Sequence, residues 1–219
     1  MCEAPAQCEH ASGRDGGLAA LPGRVRWLAA VRRSPSAELT RPPACACLTA
    51  MVIVVMGVSG AGKTTVGQHL AAALGARFVD ADEFHPSANL AKMAAGVPLD
   101  EADRAPWLHA LAAAIDGWLR QPGDVVLACS ALRASHRQAL RRHPSRVVFV
   151  YLQISEEVAR DRLLARRGHF FKADMLDSQL ETLEPPDDAL TVDASQPVDR
   201  IVAELVANLA PRRTTNPSS

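Results

Sequence analysis

The sequence predicts an α/β protein, a parallel β-sheet flanked by helices, and three observations carry that prediction. From residue 51 onward, short apolar runs alternate with helical patterns. The runs are apolar at successive positions, as strands buried on both faces are. The first run, Met51-Val-Ile-Val-Val-Met56, breaks at once into the glycine-rich stretch Gly57-Val-Ser-Gly-Ala-Gly-Lys-Thr-Thr65. Sheets of this kind bind ligands at the carboxyl ends of their strands.

In chain order, strands are expected at 51–56, 77–80, 125–128, 147–152 and 190–192. Helices are expected at 63–74, 88–95, 104–119, 135–142, 156–166, 174–183 and 198–209. Pro106 suits the first turn of its helix, where no N–H is needed. Residues 211–219, "PRRTTNPSS", read as a frayed tail, leaving 51–210 as one domain. Residues 1–50 differ from the remainder: they are rich in Ala, Arg, Pro and Gly and lack a sustained period. They read as a disordered leader or an over-extended start, with Met51 as the functional first residue.

The totals exclude several classes of function. Formal net charge is zero, so nothing points to nucleic acid or an anionic membrane as partner. No apolar stretch approaches about 20 residues, so no membrane span is expected. Cys129 stands alone in the body of the chain, which argues for a reducing, cytoplasmic setting. Cys45-Ala-Cys47 has the wrong spacing for the usual zinc pairs.

Residues 57–64 fit the G-x-x-x-x-G-K-[ST] pattern at every fixed position. Glycines let the backbone curl until successive N–H groups face one anion, and the helix that follows adds its positive end. Gly57, Val58, Ser59, Gly60, Ala61, Gly62, Lys63, Thr64 and Thr65 are the expected nucleotide-binding residues. Lys63 would reach the β- and γ-phosphates, and the Thr64 hydroxyl would ligate Mg²⁺. A guanine-reading Asn-Lys-x-Asp segment is absent, which excludes a switch GTPase. The strand "VVLACSA" ends in Cys129 and Ser130 where a motor ATPase would carry an acid. The acidic pair Asp80-Ala-Asp82 is the obvious substitute, with one carboxylate for the metal's water shell and one for an acceptor hydroxyl. Helix capping is the plainer role for such aspartates.

The stretch 83–108, "EFHPSANLAKMAAGVPLDEADRAPWL", gathers His85, Asn89, Lys92, Asp103 and Arg104. A polyhydroxylated, anionic acceptor would account for that mixture, and a solvated face would account for several of them. Trp107 reads as core rather than as a stacking platform for a sugar.

Together, "GVSGAGKTT", "DADEFHPSANLAKMAAGVPL", "DRAPWL", "ACSALR" and "ARRGHFFKADMLDSQLETLEPP" resemble the gluconate kinase family of P-loop small-molecule kinases. The resemblance runs from about Val52 to Leu209. It implies a shikimate- and adenylate-kinase-like architecture with a mobile lid at about 162–175, transfer of phosphate from ATP to D-gluconate, and commonly a homodimer. Position by position, Asp80 resembles the metal-side carboxylate and Asp82 the acceptor-side one and base. His85 and Arg104 resemble gluconate contacts, with Lys92, Ser130 and Arg133 as further substrate-binding candidates. Arg162 and Arg166 resemble lid arginines that neutralise the transferring phosphate, and "VDASQP" at 192–197 resembles the adenine-wrapping loop. A shikimate or nucleoside monophosphate kinase, or an ATP sensor without catalysis, are the competing readings.

A chain beginning at Met51 is expected to fold and turn over like the full-length protein, because residues 1–50 offer no patterned apolar surface to bury. Thermal melting and steady-state rates of the two chains, side by side, check this. A lower melting temperature in the shorter chain would show that the leader packs on the domain.

Overall fold

The computed structural model describes residues 50–165 and 173–214, which fall within one compact unit. The leader to residue 49, the segment 166–172 with Arg166, and the chain from 215 lie outside the described residues. In order, the elements are β1 (Val52–Met56), α1 (Lys63–Leu74), β2 (Arg77–Asp80), a 3-10 turn (Ala81–Phe84), α2 (Ser87–Ala94), α3 (Glu101–Trp118) and β3 (Val125–Ala128). They continue with α4 (Ala134–Leu140), β4 (Val147–Gln153), α5 (Glu156–Ala165), α6 (Ala173–Thr182), β5 (Leu190–Asp193) and α7 (Val198–Thr214). The strands form one five-stranded sheet in the order β2-β3-β1-β4-β5, and every pairing is parallel.

β1 lies at the centre, with all five of its side chains fully buried. Alternation along a strand sends its residues to opposite faces. Ile53 and Val55 pack with Val66 and Leu70 of α1 and Ile201 and Leu205 of α7. Val52, Val54 and Met56 pack on the other side with Trp107, Leu111 and Ile115 of α3 and Leu140 of α4. An unbroken apolar run is what a strand between two helical layers requires. From β1 the chain moves out to β2 and returns to β3, then crosses β1 to β4 and β5. The direction of winding reverses beside β1, and a crevice opens there at the carboxyl ends.

Two boundaries depart from expectation by three residues or more. α3 begins at Glu101, before Arg104, because Asp100 and Asp103 form a capping box: Asp103 N–H donates to Asp100 Oδ1 at 2.8 Å, and Asp100 N–H donates to Asp103 Oδ2 at 3.1 Å. Pro106 therefore sits inside the helix rather than in its first turn, and the Ala102 carbonyl is without its usual ladder donor. α7 continues through Pro211 to Thr214, so the start of the expected tail is helical.

Gly60 marks how tightly the loop after β1 is seated. Its φ is +84°, and an added Cβ would stand 2.5 Å from the Ala159 carbonyl oxygen of α5. Gly60→Ala is expected to lower stability by about 1–3 kcal/mol through overpacking against backbone that cannot swing aside. Gly117→Ala in α3 is the control: a Cβ there meets nothing within 4 Å, and the change should stabilise by about 0.5–1 kcal/mol. Chemical denaturation of both variants checks the pair, and equal effects would contradict the described seating.

Candidate active site

The crevice is a cleft of about 530 Å³ lined by residues that follow β1, β2 and β3. From the first come Ser59, Gly60, Gly62, Lys63 and Thr64; from the second Asp80, Asp82 and His85; from the third Cys129 and Ser130. Each strand delivers its polar residues to the same edge. The loop folds as its glycines dictate, with Gly57, Gly60 and Gly62 all at positive φ. Lys63 Nζ donates to the Val58 carbonyl at 3.1 Å, holding the ammonium over its own loop. Val58 and Ala61 are buried, so they serve the site through backbone. Thr65 is exposed in the first turn of α1, and neither it nor Gly57 lines the cleft.

The acidic pair is built differently from the simple alternation the sequence suggests. Asp80 ends β2 and caps the 3-10 turn: its Oδ1 accepts from Asp82 N–H at 3.1 Å. Its Oδ2 accepts from the Thr64 hydroxyl at 3.4 Å. Capping and metal-side geometry thus reside in one carboxylate. Asp82 lies within the turn and still faces the cleft. Its pKa is raised, first by desolvation and then by the neighbouring Asp80 charge, against the opposing pull of His85 and Lys63. The side chain is 68% exposed on the open cleft, so the desolvation reflects surrounding protein rather than enclosure, and substrates filling the cleft would deepen it.

Trp107 fixes this turn from below. Its Nε1–H donates to the Ala81 carbonyl, between the two aspartates, at 2.8 Å. The His85 ring stacks on the indole at 4.6 Å and 8°. Trp107 is buried core, as expected, and it also supports the site. Asn89 Nδ2 approaches His85 Nδ1 at 3.4 Å; as a donor it leaves the proton on Nε2, which stands 4.0 Å from Asp82 Oδ1. Burial, opposed by Asp82 and reinforced by Arg104, lowers the His85 pKa and so favours the neutral ring.

Of the expected acceptor-side cations, only Arg104 lines the cleft. Lys92 does not reach it: its ammonium is held on both oxygens of Asp103, at 2.6 and 2.7 Å. That contact raises the Lys92 pKa and lowers that of Asp103. Asn89 is likewise structural, donating to the Asp103 carbonyl at 2.7 Å. These groups latch α2 to α3 rather than await a ligand. Arg133, the N-cap of α4, also lies off the cleft, 3.5 Å from Glu101. Arg162 stands beside the phosphate loop, about 4.0 Å from where a Gly62 Cβ would be, and donates to the Ala194 carbonyl at 2.8 Å.

Two contributors were not foreseen. Glu101 gathers Arg104 at 3.1 Å, Arg133 at 3.5 Å and the buried His136 at 3.1 Å. Partial burial pushes its pKa up, but the His136 hydrogen bond and the surrounding positive charges win and hold it low. The i, i+3 spacing of Glu101 and Arg104 was the available signal. Gln179 of α6 also lines the cleft; it falls within the stretch "ARRGHFFKADMLDSQLETLEPP" that carries the resemblance, but no spacing there ties it to the phosphate loop. The Cys129 thiol lies at the cleft floor, pushed up to about 12 by complete burial.

With this geometry in hand, comparison with known proteins is informative. A family profile described as an AAA domain matches residues 52–186. The thermoresistant gluconokinase of Escherichia coli (strain K12) is 43% identical over 159 residues, which is 71% of this chain and 91% of that protein. The gluconokinase of Gluconobacter oxydans (strain 621H) is 45% identical over 161 residues, 70% and 88% of the respective chains. The crystal structure of a gluconokinase from Sinorhizobium meliloti 1021 matches with a TM-score of 0.67 at 43% identity, covering 75% of this chain and 93% of the other. A phosphate loop, an acidic turn and a cation on one cleft, in a chain this similar over nearly the full length of its relatives, place the protein in the gluconokinase family.

Proposed function

We propose that the protein transfers the γ-phosphoryl group of ATP to the primary hydroxyl of D-gluconate, giving 6-phospho-D-gluconate and ADP. The observation that carries this reading is the meeting of Lys63, Asp82 and Arg104 on the walls of one cleft. In the transfer, the C6 hydroxyl oxygen attacks the γ-phosphorus and the bond to the ADP oxygen breaks. The hydroxyl proton passes to Asp82, whose raised pKa strengthens it as a proton acceptor. Lys63 holds the terminal phosphates, and Arg104 grips the acceptor's carboxylate at the far end. His85, neutral and with Nε2–H available, suits a hydroxyl oxygen better than an anion.

Mg²⁺ fits the donors present. The Thr64 hydroxyl and the Asp80 carboxylate are hard oxygen ligands on the cleft wall. Among the described residues no cluster of three or more His, Cys, Asp or Glu could hold a metal by itself. A site with few protein ligands suits Mg²⁺, which keeps waters and takes its other ligands from substrate phosphates. When bound, the ion would neutralise charge on the phosphate oxygens. Asp80 would hold it through a water, as the residue fixed to the 3-10 turn. Arg162, already beside the phosphate loop, would stabilise the transferring group, and Arg166 is assigned the same task. Among the described residues no helix is long and apolar enough to cross a membrane. A cytoplasmic location suits the reduced Cys129 thiol.

A coupled ADP-release assay against a panel of sugar acids tests the reaction as a whole, and acceptor-independent turnover would contradict it. Lys63→Ala should remove most turnover and leave the melting temperature close to that of the parent, since the lysine acts on charge at the γ-phosphate. Near-parental activity in that variant would place the nucleotide elsewhere.

Arg104→Lys should raise the gluconate KM by about ten- to a hundred-fold with little change in the ATP KM. Such charged, bidentate hydrogen bonds contribute roughly 1.5–3 kcal/mol, and lysine cannot reproduce the fork. Glucose, lacking the carboxylate, should be a poor acceptor for the parent and scarcely worse for the variant. Equal use of the two sugars by the parent would remove Arg104 from its role.

A further inference from the structure

Gln179 takes no part in the chemistry assigned above, yet it stands on the cleft wall in contact with the phosphate loop. Its Oε1 accepts from the Ser59 backbone N–H at 2.7 Å. A backbone N–H only donates, so this contact fixes the orientation of the side-chain amide. The oxygen faces the loop, and Nε2 carries two hydrogens away from that contact. Among the described residues Nε2 has no acceptor of its own.

The helix that carries Gln179 is firmly placed. Leu176 is fully buried in a cluster with Val58, Ala159 and Leu163, and Leu180 packs against the same cluster. Asp177 pairs with Arg160 of α5 at 2.6 Å. The amide is therefore held at both ends, by its helix and by the loop whose N–H groups are to surround an anion. An amide with its acceptor end occupied can offer that anion only donors. We propose that Gln179 is a catalytic residue that donates hydrogen bonds from Nε2 to the γ-phosphoryl oxygens of ATP during transfer. A donor fixed in advance near developing charge needs no reorganisation at the moment of reaction, which is what makes such groups effective. The inference rests on the kinase reading, but it concerns the group transferred and not the acceptor.

The alternative is that Gln179 merely ties α6 to the loop, and two variants of the full chain separate these roles. Gln179→Glu keeps an oxygen for the Ser59 N–H in nearly the same shape and replaces the donors with an anionic oxygen. Gln179→Ala removes both. The measurements are kcat and KM with ATP and the acceptor, affinity for ADP and for a non-hydrolysable ATP analogue by calorimetry, and melting temperature. The alanine variant should lose roughly ten- to a hundred-fold in kcat, with ADP affinity within about two-fold of the parent's. The glutamate variant should be slower than the alanine one and bind the triphosphate analogue more weakly, while melting close to the parent.

Parental turnover in Gln179→Glu would overturn the proposal and leave a structural tie. So would a loss of ADP affinity as large as the loss for the triphosphate analogue. The comparison is made with whichever hydroxylated acid the parent phosphorylates. A parent that uses another acid in place of gluconate overturns the acceptor assignment, and the order of the glutamate and alanine variants still decides the role of Gln179.

Discussion

The indole N–H of Trp107 reaches the Ala81 carbonyl, and much of the cleft depends on that bond. A carbonyl in a tight turn between two aspartates must find a donor, and an unmet acceptor there would cost about 1–3 kcal/mol. By supplying it from the core, α3 sets the height of the turn above the sheet. Asp80 then caps the turn and meets Thr64, Asp82 is presented to the cleft, and His85 lies flat on the same indole. Four side chains with different tasks are thus referred to one buried ring. Phosphoryl transfer asks a protein mainly for positioning and charge placement, and this bond does much of the positioning on the acidic side.

The acceptor side follows a second logic, that of charges kept in company. Asp103 serves Lys92 and the capping box, and Glu101 serves Arg104, Arg133 and His136. Of Lys92, Arg104, Arg133 and His136, only Arg104 combines such a partner with a place on the cleft wall. An arginine half-satisfied by an internal carboxylate keeps its fork oriented and retains donors for a second carboxylate. The latch between α2 and α3 makes the two helices one unit, so that a shift of one toward the nucleotide would carry the other.

The fold and the phosphate side of the cleft were legible in the sequence because both rest on local rules. An unbroken apolar run gave β3 to the residue, the short apolar pair Phe78-Val79 between charged ends marked β2, and the glycine pattern located the loop and α1. The site's interior was less legible. Asp80 and Asp82 both line the cleft, but alternation along a strand is not what places them there: a 3-10 turn capped by Asp80 itself aims them. Lys92 and Asn89 looked like ligands because composition cannot tell a group that awaits a substrate from one that has a partner across two helices. Asp103 is 11 and 14 residues from them. Gln179 is 120 residues from Ser59, and no periodicity announces a contact of that range. The start of α3 was misplaced because its capping box uses Asp at both ends, where Ser or Thr with Glu or Gln is the familiar form.

Cys129 carries a consequence of a different kind. Thiol chemistry proceeds through the thiolate. Complete burial pushes the Cys129 pKa up to about 12, so the thiol stays protonated at neutral pH. The residue lines the cleft, yet burial holds its thiol in the protonated, weakly nucleophilic form. The position invites a redox brake on sugar-acid metabolism, and the apolar floor of the cleft withholds one. A cell carrying this protein through an oxidative episode would keep its activity from being titrated away at that sulfur.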